Sequence, residues 1–173
     1  MQALEFWKVV TADRSGLLER FLAILHDLGI RYCVIGGQGV NAYADPLVSL
    51  DLDIVVAVSD FSRLRDALPP AFQIREFPHS LNISEPSSRL QIQIQTEARY
   101  SPFVDRAEIR DVLDLQLPVA AIEDLLQGKV WAASDPGRRA SKRLKDLTDI
   151  ARLLEVRREL RVNIPQPILD KLS

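Results

Sequence analysis

Apolar and polar positions along this chain follow two different periods, and an element ends wherever the period changes. Leu17, Leu18, Phe21, Leu22, Ile24, Leu25 and Leu28 recur at the spacing of an amphipathic helix, which predicts a helix over residues 14–28 with Gly29 as its stop. Tyr32-Cys33-Val34-Ile35 is a short apolar run that predicts a strand, and it ends in Gly36-Gly37. A short helix is expected over 38–44, halted at Asp45-Pro46 because the residue before a proline is pushed out of the helical region. The strongest strand is expected over 50–58, followed by a helix over 61–68 that Asp60 caps and Pro69-Pro70 ends. Shorter strands are expected over 72–77 and 81–84. Residues 89–97 alternate strictly, with Leu90, Ile92 and Ile94 on one face and Gln91, Gln93 and Gln95 on the other, as in a half-buried strand. One more strand-like stretch covers 109–119. From Ala121 the pattern is helical, through Ile122, Leu125, Leu126 and Val130, then Leu144, Leu147, Ile150, Leu153 and Leu154, with a Ser134-Asp135-Pro136-Gly137 turn between the two helices.

These elements describe an α+β (mixed α/β) chain. A core is expected over 1–119, beginning with a helix, and a C-terminal helical segment over 120–173 packed on it as one structural unit. With 173 residues, 47% of them apolar, the chain has the material for one real core. A net charge of −2 argues against broad non-specific binding to nucleic acid or anionic membrane, although a local basic patch fits inside a balanced total. No apolar run approaches the roughly 20 residues of a membrane span. Acidic residues at Glu5, Asp13, Glu19 and Asp27 argue against a secretory signal, so a cytoplasmic protein is expected.

The single Cys and two His cannot make a Cys/His zinc site. Cys33 lies in an apolar run and His26 in a helical pattern, where packing or exposure accounts for them. Chemistry then falls to the acids. Asp51 and Asp53 open the strongest strand; residues i and i+2 of a strand share a face, so their carboxylates project side by side while Leu52 turns to the core. Two hard oxygen ligands suit Mg2+ or Mn2+, whose remaining positions phosphate oxygens and waters complete. The Gly36-Gly37 turn just upstream lets a phosphate approach backbone, and the helix start after it offers unpaired N–H groups. The strand is largely apolar, so two adjacent carboxylates there would repel and suffer desolvation unless a cation lies between them.

A rival reading uses the same glycines. Gly37-Gln38-Gly39-Val40-Asn41-Ala42 fits the dinucleotide fingerprint G-x-G-x-x-A, with Asp60 where a ribose-binding acid is expected. Against it, the helix before Asp45-Pro46 is about two turns long, no second β-α-β unit follows, and Asp51 and Asp53 are left without a role.

With Gly36-Gly37, Asp51-x-Asp53, Leu117-Pro118-Val119, Ile122-Glu123-Asp124-Leu125-Leu126, Lys129 and Lys145-Asp146 with Asp149 in place, the chain resembles the nucleotidyltransferase fold superfamily. The likeness is to its minimal enzymes and abortive-infection AbiEii-type toxins, and it covers about residues 30–155. It implies a polymerase-beta-like mixed sheet flanked by helices, with a helical tail. It also implies transfer of a nucleoside monophosphate from a nucleoside triphosphate to an RNA or protein acceptor, with Mg2+ or Mn2+ as cofactor and an antitoxin-like partner. On this resemblance Asp51 and Asp53 hold the metals. Gly36, Gly37 and Ser49 lie on the phosphates, Lys129 and Lys145 contact them, and Asp146 or Asp149 positions the lysine or the substrate. Surface ion pairing is the ordinary alternative for Lys129, Asp146 and Asp149, and a solvated helix face for the Arg138, Arg139, Lys142, Arg143, Lys145 cluster.

Two departures stand out. Active relatives carry a third carboxylate on a neighbouring strand, and here Gln93 takes that place. A neutral amide neither balances a second cation nor accepts a proton. Glu97 sits four residues on, about 13 Å along an extended strand, too far to substitute. Leu47 stands where relatives often have arginine. A catalytically degenerate protein that binds nucleotide or acts as a regulatory interaction module is therefore the alternative to an active transferase.

Overall fold

The computed structural model describes residues 2–11, 13 and 16–173. The first two positions of the helix expected over 14–28 lie outside the described residues; the rest forms α2, Leu17–Asp27, with Leu17, Leu18, Phe21 and Leu25 buried and Gly29 left-handed just beyond its end. An additional helix, α1, spans Ala3–Thr11. It was not evident from periodicity because exposed Phe6 and Val9 interrupt any single apolar stripe around buried Trp7.

Seven strands form one mixed sheet in the order β3-β4-β5-β2-β1-β7-β6. They are β1 Tyr32–Ile35, β2 Asp51–Val56, β3 Gln73–Phe77, β4 Ser80–Ser84, β5 Gln91–Gln95, β6 Glu108–Val112 and β7 Leu115–Val119. β2 runs antiparallel to β1 and parallel to β5 at the centre. Register explains the two faces. Leu52 pairs with Ile92 and Ile92 with Ile83, while Ile54 pairs with Ile94 and Ile94 with Leu81; all six side chains are fully buried on one face. One step along each strand, the other face carries Asp51 and Gln91, then Asp53, Gln93 and Asn82. Strict alternation thus separates an apolar face from a polar row.

The helices are α3 Gly36–Asn41, α4 Val58–Ala67, α5 Ile122–Ser134, α6 Ala140–Val156 and α7 Gln166–Leu169. α3 packs on β2, α5 and α6, which places the helical tail over the polar row. Three local expectations change. The stretch 109–119 is two strands, β6 and β7, because Leu113 and Asp114 both adopt left-handed backbone and turn the chain, with Asp111 Oδ1 accepting the Asp114 N–H at 3.0 Å. α4 begins at Val58, so Asp60 lies in its first turn, paired with Arg63, and does not cap it. Gly36 and Gly37 are the first residues of α3 itself and not a turn ahead of it.

Candidate active site

The site grows from β2. Asp51 and Asp53 sit two residues apart on the polar face, and the parallel pairing of β2 with β5 places Gln93 directly opposite Asp53. Asn82 extends that row on β4. The alternation of Ser80, Asn82 and Ser84 with Leu81 and Ile83 was the signal for it, but only the register shows it abreast of Gln93. On the other side of β2, β1 ends beside Asp53 at Ile35. The next residue, Gly36, has φ +67°, and a Cβ there would stand 2.1 Å from Asp53 Oδ2. This glycine is needed for conformation and for space alike. Gly36→Ala is expected to destabilise the fold by about 1–3 kcal/mol through backbone strain and displacement of Asp53. Thermal unfolding checks this, and an unchanged melting temperature would refute it.

Asp53 Oδ1 is sealed from solvent and has no hydrogen-bond partner. Its carboxyl is pushed up to about 6, chiefly by burial; Lys129 opposes the rise and Asp51 adds to it. Ser49 precedes the pair and shapes its approach: the Asp51 N–H donates to Ser49 Oγ at 3.3 Å.

Opposite β2 stands a buried charge network joining α5 to α6. Lys129 Nζ lies 3.2 Å from Asp146 and 2.8 Å from Asp149. Asp146, 1% exposed, also takes two hydrogen bonds from Arg138, at 2.8 and 3.1 Å. Asp149 pairs with Arg152 at 2.8 Å. Burial works against the Lys129 charge, but Asp149, Asp146 and Asp53 outweigh it and lift its pKa above the ordinary lysine value. Neither acid pairs with Arg143, which donates to backbone carbonyls of Asp135 and Arg138 instead. Sequence spacing alone offered helix-surface ion pairs; the crossing of α5 over α6 makes them interior.

A cleft of about 400 Å³ lies between β2 and this network. Gly37, Ser49, Asp51, Asp53, Gln93, Lys129, Lys145 and Asp146 all line it, as do Arg138, Arg139 and Lys142. Lys145 is exposed, so its amino group is free to meet a ligand from solvent. Gly36 faces a second, adjoining pocket, shared with Asp53, Gln93, Lys129 and Asp146, whose far side is Tyr100, Phe103 and Gly128. No sequence pattern pointed to that aromatic wall. Leu47 sits half-exposed on the cleft rim, its N–H and C=O held by Asn41, and Arg152 reaches the same Asn41 at 2.7 Å. Glu97 pairs with Arg99 and lies outside both pockets.

Residues 48–169 match the family described as nucleotidyl transferase AbiEii toxin, type IV TA system. The chain belongs to this family. Its structural neighbours share the fold at low identity. Lincosamide antibiotic adenylyltransferase LnuA, solved with lincomycin bound, is 15% identical with a TM-score of 0.55, covering 82% of this chain and 97% of its own. Antibiotic-resistance factor ANT(2'')-Ia is 10% identical with a TM-score of 0.53, covering 86% of this chain and 91% of its own. An antigenic nucleotidyltransferase-like protein from Paracoccidioides brasiliensis is 17% identical with a TM-score of 0.53, covering 96% of this chain and 86% of its own. A search of curated protein sequences finds no match. The expected mixed-sheet nucleotidyltransferase fold is therefore the observed one.

The rival dinucleotide reading fails on topology. In this AbiEii-family chain β1 and β2 are antiparallel, so the glycines do not open a β-α-β unit, and Asp60 is paired with Arg63 away from the cleft. Among the described residues no three His, Cys, Asp or Glu side chains converge as a metal cluster. The Asp51–Asp53 pair, with an unpartnered buried oxygen on Asp53, fits one hard cation that takes its other ligands from phosphate and water. Gln93, in register beside Asp53, is a neutral amide and offers no third carboxylate. Cys33 is fully buried and its thiol is pushed up to about 12 by burial, which makes it a packing residue. His26 and His79 are exposed. Among the described residues no helix is long and apolar enough to cross a membrane.

Proposed function

We propose that this protein transfers a nucleoside monophosphate from a nucleoside triphosphate to a hydroxyl of an RNA or protein acceptor, with Mg2+ or Mn2+ held by Asp51 and Asp53. The observation that carries the reading is the cleft itself: a strand-borne carboxylate pair with an unpartnered oxygen faces a wall of Lys129, Arg138, Arg139, Lys142 and Lys145. A bound cation supplies charge neutralisation to the triphosphate and polarises its reacting phosphate.

The chain's own residues do the positioning. Lys129 has three N–H donors; Asp146 and Asp149 take two, and the third remains for a phosphate oxygen. Arg138 spends one face of its guanidinium on Asp146 and keeps the other for the cleft. Lys145 and Arg139 add unburied charge along the triphosphate. Gly37 and Ser49 form a narrow, small-residue lip over which phosphates pass without steric conflict. The family is described as the toxin of a type IV TA system, and an antitoxin-like protein would be the partner.

A second reading has a specific observation behind it: Gln93 occupies the register position beside Asp53, so acceptor deprotonation has no carboxylate there. A chain that binds triphosphate without turning it over would follow. Gln93→Asp decides between them. With four labelled triphosphates and Mg2+, the wild type is expected to release pyrophosphate slowly and Gln93→Asp about 100-fold faster, the range a positioned general base contributes. A wild type as fast as the variant removes position 93 from the chemistry. A wild type with no release, rescued by Gln93→Asp, establishes the degenerate reading. Failure of either protein to bind any triphosphate at millimolar concentration overturns both.

A further inference from the structure

Among the described residues, one ion pair crosses the cleft from the Asp51–Asp53 strand to α6. Lys142 Nζ lies 3.8 Å from Asp51 Oδ2. Its setting differs from that of Lys129. Lys129 is 13% exposed and clamped by two acids, whereas Lys142 and Asp51 are 40% and 34% exposed, and the separation is at the long end of an ion pair. Such a pair is weak and readily exchanged.

Its position gives it meaning. Two adjacent carboxylates, one partly sealed from water, need positive charge, and Lys142 supplies it on the cleft side of Asp51. A divalent cation on Asp51 would meet that ammonium group at a distance where like charges repel strongly, so metal and lysine cannot share the carboxylate. The four-carbon lysine stem lets the amino group withdraw while staying in the cleft, beside Arg139, Lys145 and Gly37. That is where the reading above places the triphosphate.

We infer that Lys142 is a placeholder cation. In the free protein it neutralises Asp51; on loading it gives the carboxylate up to the divalent metal and moves to the triphosphate oxygens. This rests on the reading of Asp51 and Asp53 as metal ligands. It makes a prediction of unusual form, because one substitution should have opposite effects on two ligands. Lys142→Gln removes a competitor for the metal and a ligand for the phosphate.

The test uses the full chain, with Mn2+ alone followed by electron paramagnetic resonance, and the four triphosphates with Mg2+ followed by calorimetry. Lys142→Gln is expected to bind Mn2+ alone about threefold more tightly and its preferred triphosphate about tenfold more weakly than wild type. Lys145→Gln, whose amino group touches no carboxylate among the described residues, serves as the comparison and should weaken the triphosphate without a comparable gain in Mn2+ affinity. Equal Mn2+ tightening in both variants would reduce the effect to the general field of the cleft and overturn the placeholder role. So would Lys142→Gln binding Mn2+ no better than wild type while triphosphate still binds. If wild type and variant bind neither Mn2+ nor any triphosphate, the metal reading itself fails and the inference falls with it. Lys142 is 40% exposed and Lys145 is exposed, so folding does not obscure the outcome.

Discussion

Asp53→Asn is expected to abolish metal-dependent triphosphate binding, by about 100-fold or more, while making the metal-free protein more stable at neutral pH. The two effects share one cause. Burial beside Asp51 raises the Asp53 carboxyl from its usual 3.8 to about 6, so the folded protein holds this proton more firmly than the unfolded chain does. The sign follows: stability from this group is fully present below the ordinary carboxylate range and is lost as pH rises through about 6. At pH 7 the ionised group therefore opposes folding, by at most about 3 kcal/mol at about 1.4 kcal/mol per pH unit. Asn keeps the shape and removes the charge. A gain of about 1–3 kcal/mol, or about 2–12 °C in melting temperature for a chain of this size, is expected in chelator at pH 7. At pH 4, where the wild-type carboxyl is itself protonated, the gain should vanish. Saturating Mg2+ and triphosphate should stabilise the wild type and leave the variant unmoved. A variant that binds triphosphate as well as wild type would refute the assignment of Asp53. A variant less stable at pH 7 would refute the electrostatic account of its burial.

Asp146→Ala is expected to be the most destabilising single change in the site. Asp146 is almost wholly buried and holds both Lys129 and Arg138, so its loss leaves the buried ammonium group with Asp149 alone and frees a guanidinium. Breaking a buried pair from one side costs about 3 kcal/mol or more, far beyond what an exposed pair contributes. Urea denaturation should show a lower midpoint with an unchanged slope. Lys129→Met in the same chain should recover part of the loss, since it removes a buried charge left with one partner in place of two; additive losses would show that the two side chains do not act as a pair. Triphosphate affinity separates position from stability. Arg152→Gln, which releases Asp149 but leaves Asp146 in place, should weaken binding far less than Asp146→Ala.

The helices and strands with long periodic patterns were readable from the chain alone. α2, β2, β5, α5 and α6 all follow from spacing, because burial of one face imposes a period that local sequence cannot hide. The elements that periodicity missed or misplaced are those set by a few dihedrals or by contacts elsewhere. The β6–β7 hairpin depends on Leu113 and Asp114 turning left-handed, which no residue type there demands. α1 is short and is placed by Trp7 packing into the core and donating to the Ser49 carbonyl.

The site divides along the same line. Residue types and i, i+2 spacing on β2 were enough to pick out Asp51 and Asp53, while alternation along β5 placed Gln91, Gln93 and Gln95 on one face, and only the resemblance to nucleotidyltransferases singled out Gln93 among them. Nothing in the chain's order could say that Gln93 stands abreast of Asp53, that Gly36 leaves room for one carboxylate oxygen, or that Lys142 reaches Asp51 across the cleft. Periodicity is a local property, written by which face of each element must leave water. Charge networks such as Lys129–Asp146–Arg138 and Lys142–Asp51 join residues from different elements, and only the packing of α5 and α6 over the sheet decides which opposite charges meet and which of them are dry.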